Sequence, residues 1–511
     1  MSPAASSYDA IPYFGQPRPQ THPDRLGTIG TILGLDPAPA TRCRVLELGC
    51  GDGMNLLTLA DALPGSEFIG VDTASTAIER GLALARAAGL ANLALHHCDV
   101  RDVTGAWGLF DYIIAHGLYS WVAPEVRDAI LSACVQLLAP GGIALVSYNA
   151  HPGGHIRTLF REMMLMQAYQ FTDPAERVDQ ALTLLRVVSA GAPPGSVYKA
   201  LVDQELERVE GYAAPYLCHD DLGEINQSFY VSEFASRAGQ YGLQYLADAD
   251  FFETQHTGYP DAVRAVLESL AGQGLVIERE QLLDFVKGRR FRHTLLCHAG
   301  RMLDRQPRPD LVPRFFISTP LRGCPVIDAD GWVRTARGAR QISAGDAEAS
   351  ATLAAIRESW PRCLTFGELV ADVQSRLGTE PDEARVQGVV WEAFCAGVAT
   401  LHSSRPPIAV EPGERPLASR LVRVQARQAA AVTTWRHMVV EIQDELGRAI
   451  LALCDGSRDR RSLADEVAAR EASSTDEVAV AFVRATSEDR LATLDGRLRG
   501  LALAGVLRLP E

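Results

Sequence analysis

The sequence predicts an α/β protein built on a doubly wound sheet of seven strands, with a helical insertion and two small α+β modules behind it. Three observations carry this. Apolar runs of strand length alternate with helical periodicity from Arg44 to Asn149, the alternation stops for about 70 residues, and it then resumes for two more strands. Strands separated by helices of this length pair in parallel.

Taken in order, RVLELG is a strand and 53–63 a helix, EFIGVD a strand and 75–88 a helix. LALHHCD and FDYIIAHG are strands three and four, followed by a helix over 125–138 and the strand IALVSYN. HIRTLFREMMLMQAY and 174–211 are helical, and FYVSEFASRAGQYGLQYLADADF is helix, glycine turn, strand. RRFRHTLLCHAG supplies a last strand near 291–297. Ahead of the sheet, 1–24 is an irregular arm leading into a short helix. The expected units are an arm and helix (1–40), a core (41–150), an insertion with the last strands (151–303), and modules at 314–404 and 417–511. Linkers rich in Pro and Arg, DRQPRPDLVP and RPPIAVEPGERP, separate the modules. Both have a winged-helix-like order of elements.

A chain of 511 residues suits several domains. Its net charge of −14 opposes broad binding to nucleic acid or anionic lipid, so neither partner is expected. The ten cysteines form no CxxC pair, which argues against structural zinc or a disulfide framework and for reduced thiols. No metal is expected. The start lacks a basic and an apolar signal region, and no apolar run reaches the ~20 residues that span a bilayer. A cytoplasmic protein without membrane insertion is the expectation.

The cofactor chemistry lies in RVLELGCGDGMN (44–55). Gly49, Gly51 and Gly53 permit a tight turn and close approach of backbone to ligand. The helix behind them offers unpaired N–H groups and a positive dipole end to a carboxylate. A dinucleotide fingerprint needs glycine where Met54 stands, so that reading fails. Glu47 stands two residues before the turn, as in the E/DxGxGxG motif of methyltransferases. Asp72 closes the second strand, where a carboxylate accepts ribose hydroxyls, and Thr73 follows it. Asp99 closes the third strand, placed for an adenine amino group with Val100 beside the ring. LLAPGG (137–142) is the turn that superfamily uses before its fifth strand. Together these assign S-adenosyl-L-methionine, with S-adenosyl-L-homocysteine as product. The site is expected to comprise Glu47, Gly49, Cys50, Gly51, Asp52, Asn55, Asp72, Thr73, Asp99, Val100, His116 and Gly117, on a Rossmann-like methyltransferase sheet.

Methyl transfer is an in-line displacement at a sulfonium carbon, so the protein has mainly to align a nucleophile and exclude water. FDYIIAHGLYSWVAP ends at the carboxyl edge of the sheet, where ligands sit in such folds. His116, Tyr119 and Trp121 are expected along the sulfonium or acceptor channel, and Asn149, with Tyr148 and His151, on a polar rim. Tyr13 of the arm, with Tyr8 and His22, is expected to fold over the pocket. Purely structural roles compete with each of these. An aromatic channel suits an amine acceptor. A lysine must first lose a proton, at a cost of about 4.6 kcal/mol at pH 7, and desolvation beside a sulfonium lowers that cost.

The arm YDAIPY with QTHP, then ELGCGDG, FDYIIAHGLYSWV, SYNAHPG and RRFRHTLLCH resemble methyltransferases that carry a methyltransferase regulatory domain. The segment at 216–249 looks like the start of that domain. The best-understood relatives that the chain resembles, over about 8–300, are rickettsial protein-lysine methyltransferases that modify outer-membrane protein. The resemblance implies that 151–215 make a homodimer contact and that 314–511 recognise a protein or peptide acceptor. Three readings stay open: N-methylation of protein lysine, methylation of a small molecule, and a cofactor-binding regulator without transfer. Removal of 314–511 is expected to spare cofactor binding.

Overall fold

The computed structural model describes residues 11–256, 258–320 and 345–509, and between 321 and 344 the backbone of three short strands alone. Tyr8 lies outside the described residues. Five parallel strands come first: β1 (Arg44–Leu48), β2 (Glu67–Asp72), β3 (Leu93–His97), β4 (Phe110–Ala115) and β5 (Leu138–Ala150). A two-residue strand, β6 (Ser228–Phe229), then precedes β7 (Leu243–Asp248) and β8 (Phe291–His298). The sheet order is β3-β2-β1-β4-β5-β8-β7, with β6 attached to the end of β5. β8 runs antiparallel to both neighbours. The seven expected strands are all present, and β6 is the eighth.

Strand β1 is buried from Val45 to Leu48 because helices cover both faces of a parallel sheet. Those helices are α1 (Pro23–Ile32), α2 (Met54–Ala62), α3 (Ser75–Ala88) and α4 (Pro124–Leu137). LLAPGG differs from expectation. Instead of a free turn it is absorbed into the start of β5, where the register with β4 jumps from Phe110↔Leu138 to Tyr112↔Ile143. Gly141 and Gly142 lie so close to the carbonyls of Asp36 and Asp111 that a β-carbon would come within 2.8 and 2.9 Å.

The insertion comprises α5 (Gly153–Ala168), α6 (Pro174–Gly191), α7 (Val197–Glu210) and α8 (Ala214–Asp220), around its own core of Phe160, Met164, Leu185 and Val202. Helices α9 (Val231–Gln240), α10 (Asp261–Gly272) and α11 (Val276–Lys287) accompany the last strands. Helix α11 docks through Glu280 and Asp284, one turn apart, which hold the fully buried Arg292 of β8 at 3.1 and 2.8 Å.

In the middle module β9 (Phe316–Ser318) pairs with β13 (Thr400–His402). Between them in sequence come β10 (Val326–Ile327), β11 (Trp332–Thr335) and β12 (Gly338–Ser343), then the helices α12 (Ala347–Glu358), α13 (Phe366–Leu377) and α14 (Glu383–Cys395). The last module has α15 (Arg420–Gln428), the hairpin β14 (Ala431–Thr433) and β15 (Val439–Glu441), then α16 (Glu445–Leu453), α17 (Arg460–Arg470), α18 (Glu477–Arg484) and α19 (Ser487–Leu503).

Both modules are built into the catalytic half. Asp24 at the start of α1 accepts hydrogen bonds from the amides of Ser403 and Ser404, at 2.8 and 3.1 Å, and pairs with His402 Nδ1 at 3.0 Å. Leu421 of α15 is fully buried against Leu57, Ala85 and Ala88.

Candidate active site

The turn after β1 takes the shape that only glycine adopts easily. Gly49, Gly51 and Gly53 have φ of 74°, 58° and 71°. A β-carbon on Gly51 would meet nothing within 4 Å, so that side of the turn is open to a ligand. Asp72 shapes two turns at once: its carboxylate accepts from Gly51 N and from Ala74 N, both at 2.8 Å.

Glu47 is buried beneath this turn. Its Oε1 accepts from Asn55 Nδ2 at 3.0 Å, and its Oε2 has no hydrogen-bond partner among the described residues. Burial pushes the carboxyl up to about 8, against the pull of Asn55. A buried polar atom without a partner in the protein leaves room for a ligand, an ion or a water. That orphaned oxygen, the open glycine turn and the strand-end acid match the ammonium, carboxylate and ribose of S-adenosylmethionine.

A cavity of about 1500 Å³ opens from this turn. Glu47, Gly49, Cys50, Gly51, Asn55, Asp72, Thr73, Asp99, Val100, His116 and Gly117 all line it. Asp99 does so with its carboxylate already held by Arg101, at 2.7 and 3.0 Å, which keeps it below the usual carboxylate range. Asp52 is the exception among the expected cofactor residues. Its carboxylate accepts from Met54 N at 3.2 Å within the turn and ties down the arm through Gly15 N at 3.3 Å, outside the cavity lining.

The acceptor side divides in the same way. His116, Trp121, Tyr13 and His22 line the cavity. Trp121 Nε1 donates to Asp220 O at 3.2 Å, and Tyr13 packs edge-on against Tyr216. Tyr119 does not reach the cavity. It is buried among Tyr148, Phe229 and Phe234, on the face of the sheet covered by α9. Asn149 is fully buried as well. It bonds Ser120 Oγ, Asn226 and Arg157, because β5 continues past the expected rim and pairs there with β6 and β8. Tyr148 bonds Thr294, and His151 stacks on His155, so neither forms the rim.

Sequence reasoning missed the contribution of the last strands. His293 of β8 stacks on His116 with ring centroids 5.4 Å apart, and Phe291 packs edge-on against His293. Burial, first of all, holds both imidazoles below their usual value, His293 at about 4. Both are neutral at pH 7. Asp248, Asp250 and His293 bring potential metal ligands within 4.8 Å of one another. Arg25 pairs with Asp250 at 2.8 Å, and Arg289 and Arg292 lie within 4.0 and 3.9 Å of Asp248, so the acidic charge is matched within the protein. The pattern DAD at the end of β7 was the available signal.

Comparison with known proteins decides the family. A sequence family described as methyltransferase domain matches residues 45–142, a predicted methyltransferase regulatory domain matches 213–298, and the C-terminal winged helix domain of PKMT matches 414–501. An uncharacterised protein of Rickettsia prowazekii is 37% identical over 233 residues, covering 45% of this chain and 93% of that protein. The chain belongs to the S-adenosylmethionine-dependent methyltransferases. A second uncharacterised protein of the same organism is 29% identical over 90% of this chain and 85% of its own length. The solved structure of PKMT2 from Rickettsia typhi in complex with AdoHcy superimposes with a TM-score of 0.83, at 25% identity, over 97% of this chain and all of that one.

The state of Glu47 gives the methyltransferase a testable signature. In the apoprotein its raised carboxyl makes stability fall as pH rises from the ordinary carboxylate range through about 8. An ammonium set against Oε2 draws that proton off. Binding of S-adenosylhomocysteine at pH 7 is therefore expected to release a proton and to tighten from pH 6 to pH 8. Calorimetry in buffers of different ionisation enthalpy reads this directly, and heats that do not depend on the buffer would contradict it.

Proposed function

We propose that this methyltransferase N-methylates lysine side chains of a protein or peptide acceptor. The cavity carries the reading. At about 1500 Å³ it exceeds the ~300–1,000 Å³ of ordinary small-ligand pockets. Residues of the arm, the core, the insertion and both later modules line it together, as a polypeptide acceptor in addition to the cofactor requires. The likeness to PKMT2 over nearly the whole chain supports it.

Bound S-adenosylmethionine supplies an electrophilic methyl carbon on a sulfonium. In this reading the amides of the glycine turn hold its carboxylate and Glu47 its ammonium. Asp72 with Thr73 holds the ribose, and Asp99 with Val100 the adenine. The chain's other residues prepare the nucleophile. Trp121, Tyr13 and Phe291 offer ring faces that attract an ammonium and keep water away. His116 and His293, both neutral, add no positive charge where the lysine must become an amine.

A homodimer formed through the insertion is part of the proposal. Leu159, Met166, Tyr169, Val187, Val197 and Tyr198 are all exposed there, and an apolar set of this kind marks an association surface. A cytoplasmic location also fits: all nine described cysteines are free, and none of the described helices is long and apolar enough to cross a membrane.

With labelled S-adenosylmethionine and a cell lysate separated by size, the label is expected on polypeptide lysine. Label confined to small molecules would refute the acceptor class. Light scattering of the purified protein is expected to give twice 55.3 kDa, and Met166→Glu with Tyr169→Glu to halve that mass. A monomeric wild-type protein would refute the dimer.

A further inference from the structure

The hairpin β14–β15 turns at Thr434–Met438, where Thr434 N donates to Met438 O at 2.9 Å and His437 N to Thr434 O at 3.0 Å. His437 sits in this turn at φ 56°, the one described non-glycine residue with positive φ. It is also buried, with 2% of its surface exposed. A residue held in that region persists where its surroundings over-determine it, and such residues gather at functional sites. Its surroundings belong to another module. His437 Nε2 lies 2.7 Å from Asn55 Oδ1, and its ring packs edge-on against His22, with centroids 5.6 Å apart.

The direction of that hydrogen bond follows from the neighbours. Asn55 Oδ1 also accepts from Arg18 N at 3.1 Å, while Nδ2 faces Glu47. Oδ1 is thus the acceptor, and His437 Nε2–H donates. Burial, and secondarily His22, hold His437 well below its usual value, so the ring is neutral and carries one N–H. The hairpin does not stand alone in this contact. On the helix before it, Gln425 approaches Met54 Sδ at 3.5 Å, and Trp435, Arg436, Met438 and Val439 line the cavity.

We propose that His437 is a positioning residue of the cofactor site: the C-terminal module, through this hairpin, holds Asn55, and through Asn55 both Glu47 and the arm, in the arrangement that binds S-adenosylmethionine. The role expected for this half of the chain was acceptor recognition alone. The proposal rests on the cofactor reading given above, and its test separates the two.

Four full-length proteins are compared by calorimetry with S-adenosylhomocysteine: wild type, His437→Gly, His437→Gln and Asp72→Ala. Glycine removes the ring and relieves the backbone at the same time. Glutamine carries a side-chain N–H donor that reaches as far as Nε2 of the imidazole. His437→Gly is expected to weaken binding about tenfold, with thermal unfolding still cooperative. Its KM for S-adenosylmethionine should rise while kcat at saturating cofactor stays close to wild type. His437→Gln is expected to recover most of the affinity. Wild-type affinity in His437→Gly, with Asp72→Ala deficient, overturns the positioning role and leaves the cofactor site standing. Wild-type affinity in Asp72→Ala overturns the cofactor assignment itself.

Discussion

Two donors from distant parts of the chain converge on the side-chain oxygen of Asn55: Arg18 N of the arm and His437 Nε2 of the last module. Its amide nitrogen is committed in turn to Glu47. All of this is buried, where a donor or acceptor stranded without its partner costs about 1–3 kcal/mol. The first turn of α2, the arm and the C-terminal hairpin can therefore be satisfied only together. Glu47 Oε2 is left by this cluster without a hydrogen-bond partner among the described residues.

A second contact of the same kind explains why the later modules are not appendages. Asp24 is almost fully buried and charged, and its partners are His402, Ser403 and Ser404. A buried carboxylate stripped of its partners is strongly destabilising. Below it one apolar core runs without a break from Leu26 and Val45 through Leu311 and Ile317 to Leu353 and Leu401. Loss of 314–511 would strip these contacts from the N-terminal half. That half of the chain buries α1, holds Asn55 and covers α3.

What could be read from the sequence was what is local. The strand, glycine turn and helix of 44–62 are set by neighbouring residues, and Asp72 and Asp99 announce themselves at or just past strand ends. Tyr119 and Asn149 misled for a physical reason. A strand-end position faces the ligand edge only if the strand stops there, and β5 runs on into pairs with Ser228 and Phe291 that no local pattern announces. The partners of Asp24 and Asn55 lie nearly 380 residues away. Nothing in the run TTWRHMVV distinguishes His437 from a loop residue until its left-handed backbone and its burial are seen. Asp52 has the opposite history: adjacency to the turn suggested a ligand contact, and its carboxylate ties the turn to the arm through Met54 N and Gly15 N.

If arm, core and C-terminal hairpin form one cofactor site, hydrogen exchange of the full-length protein with and without S-adenosylhomocysteine will show all three respond together. Protection is expected at 49–55 and equally at 15–21 and 434–438. Protection confined to the core segments around 47–55, 72–74 and 99–100, with the arm and the hairpin unchanged, would contradict it.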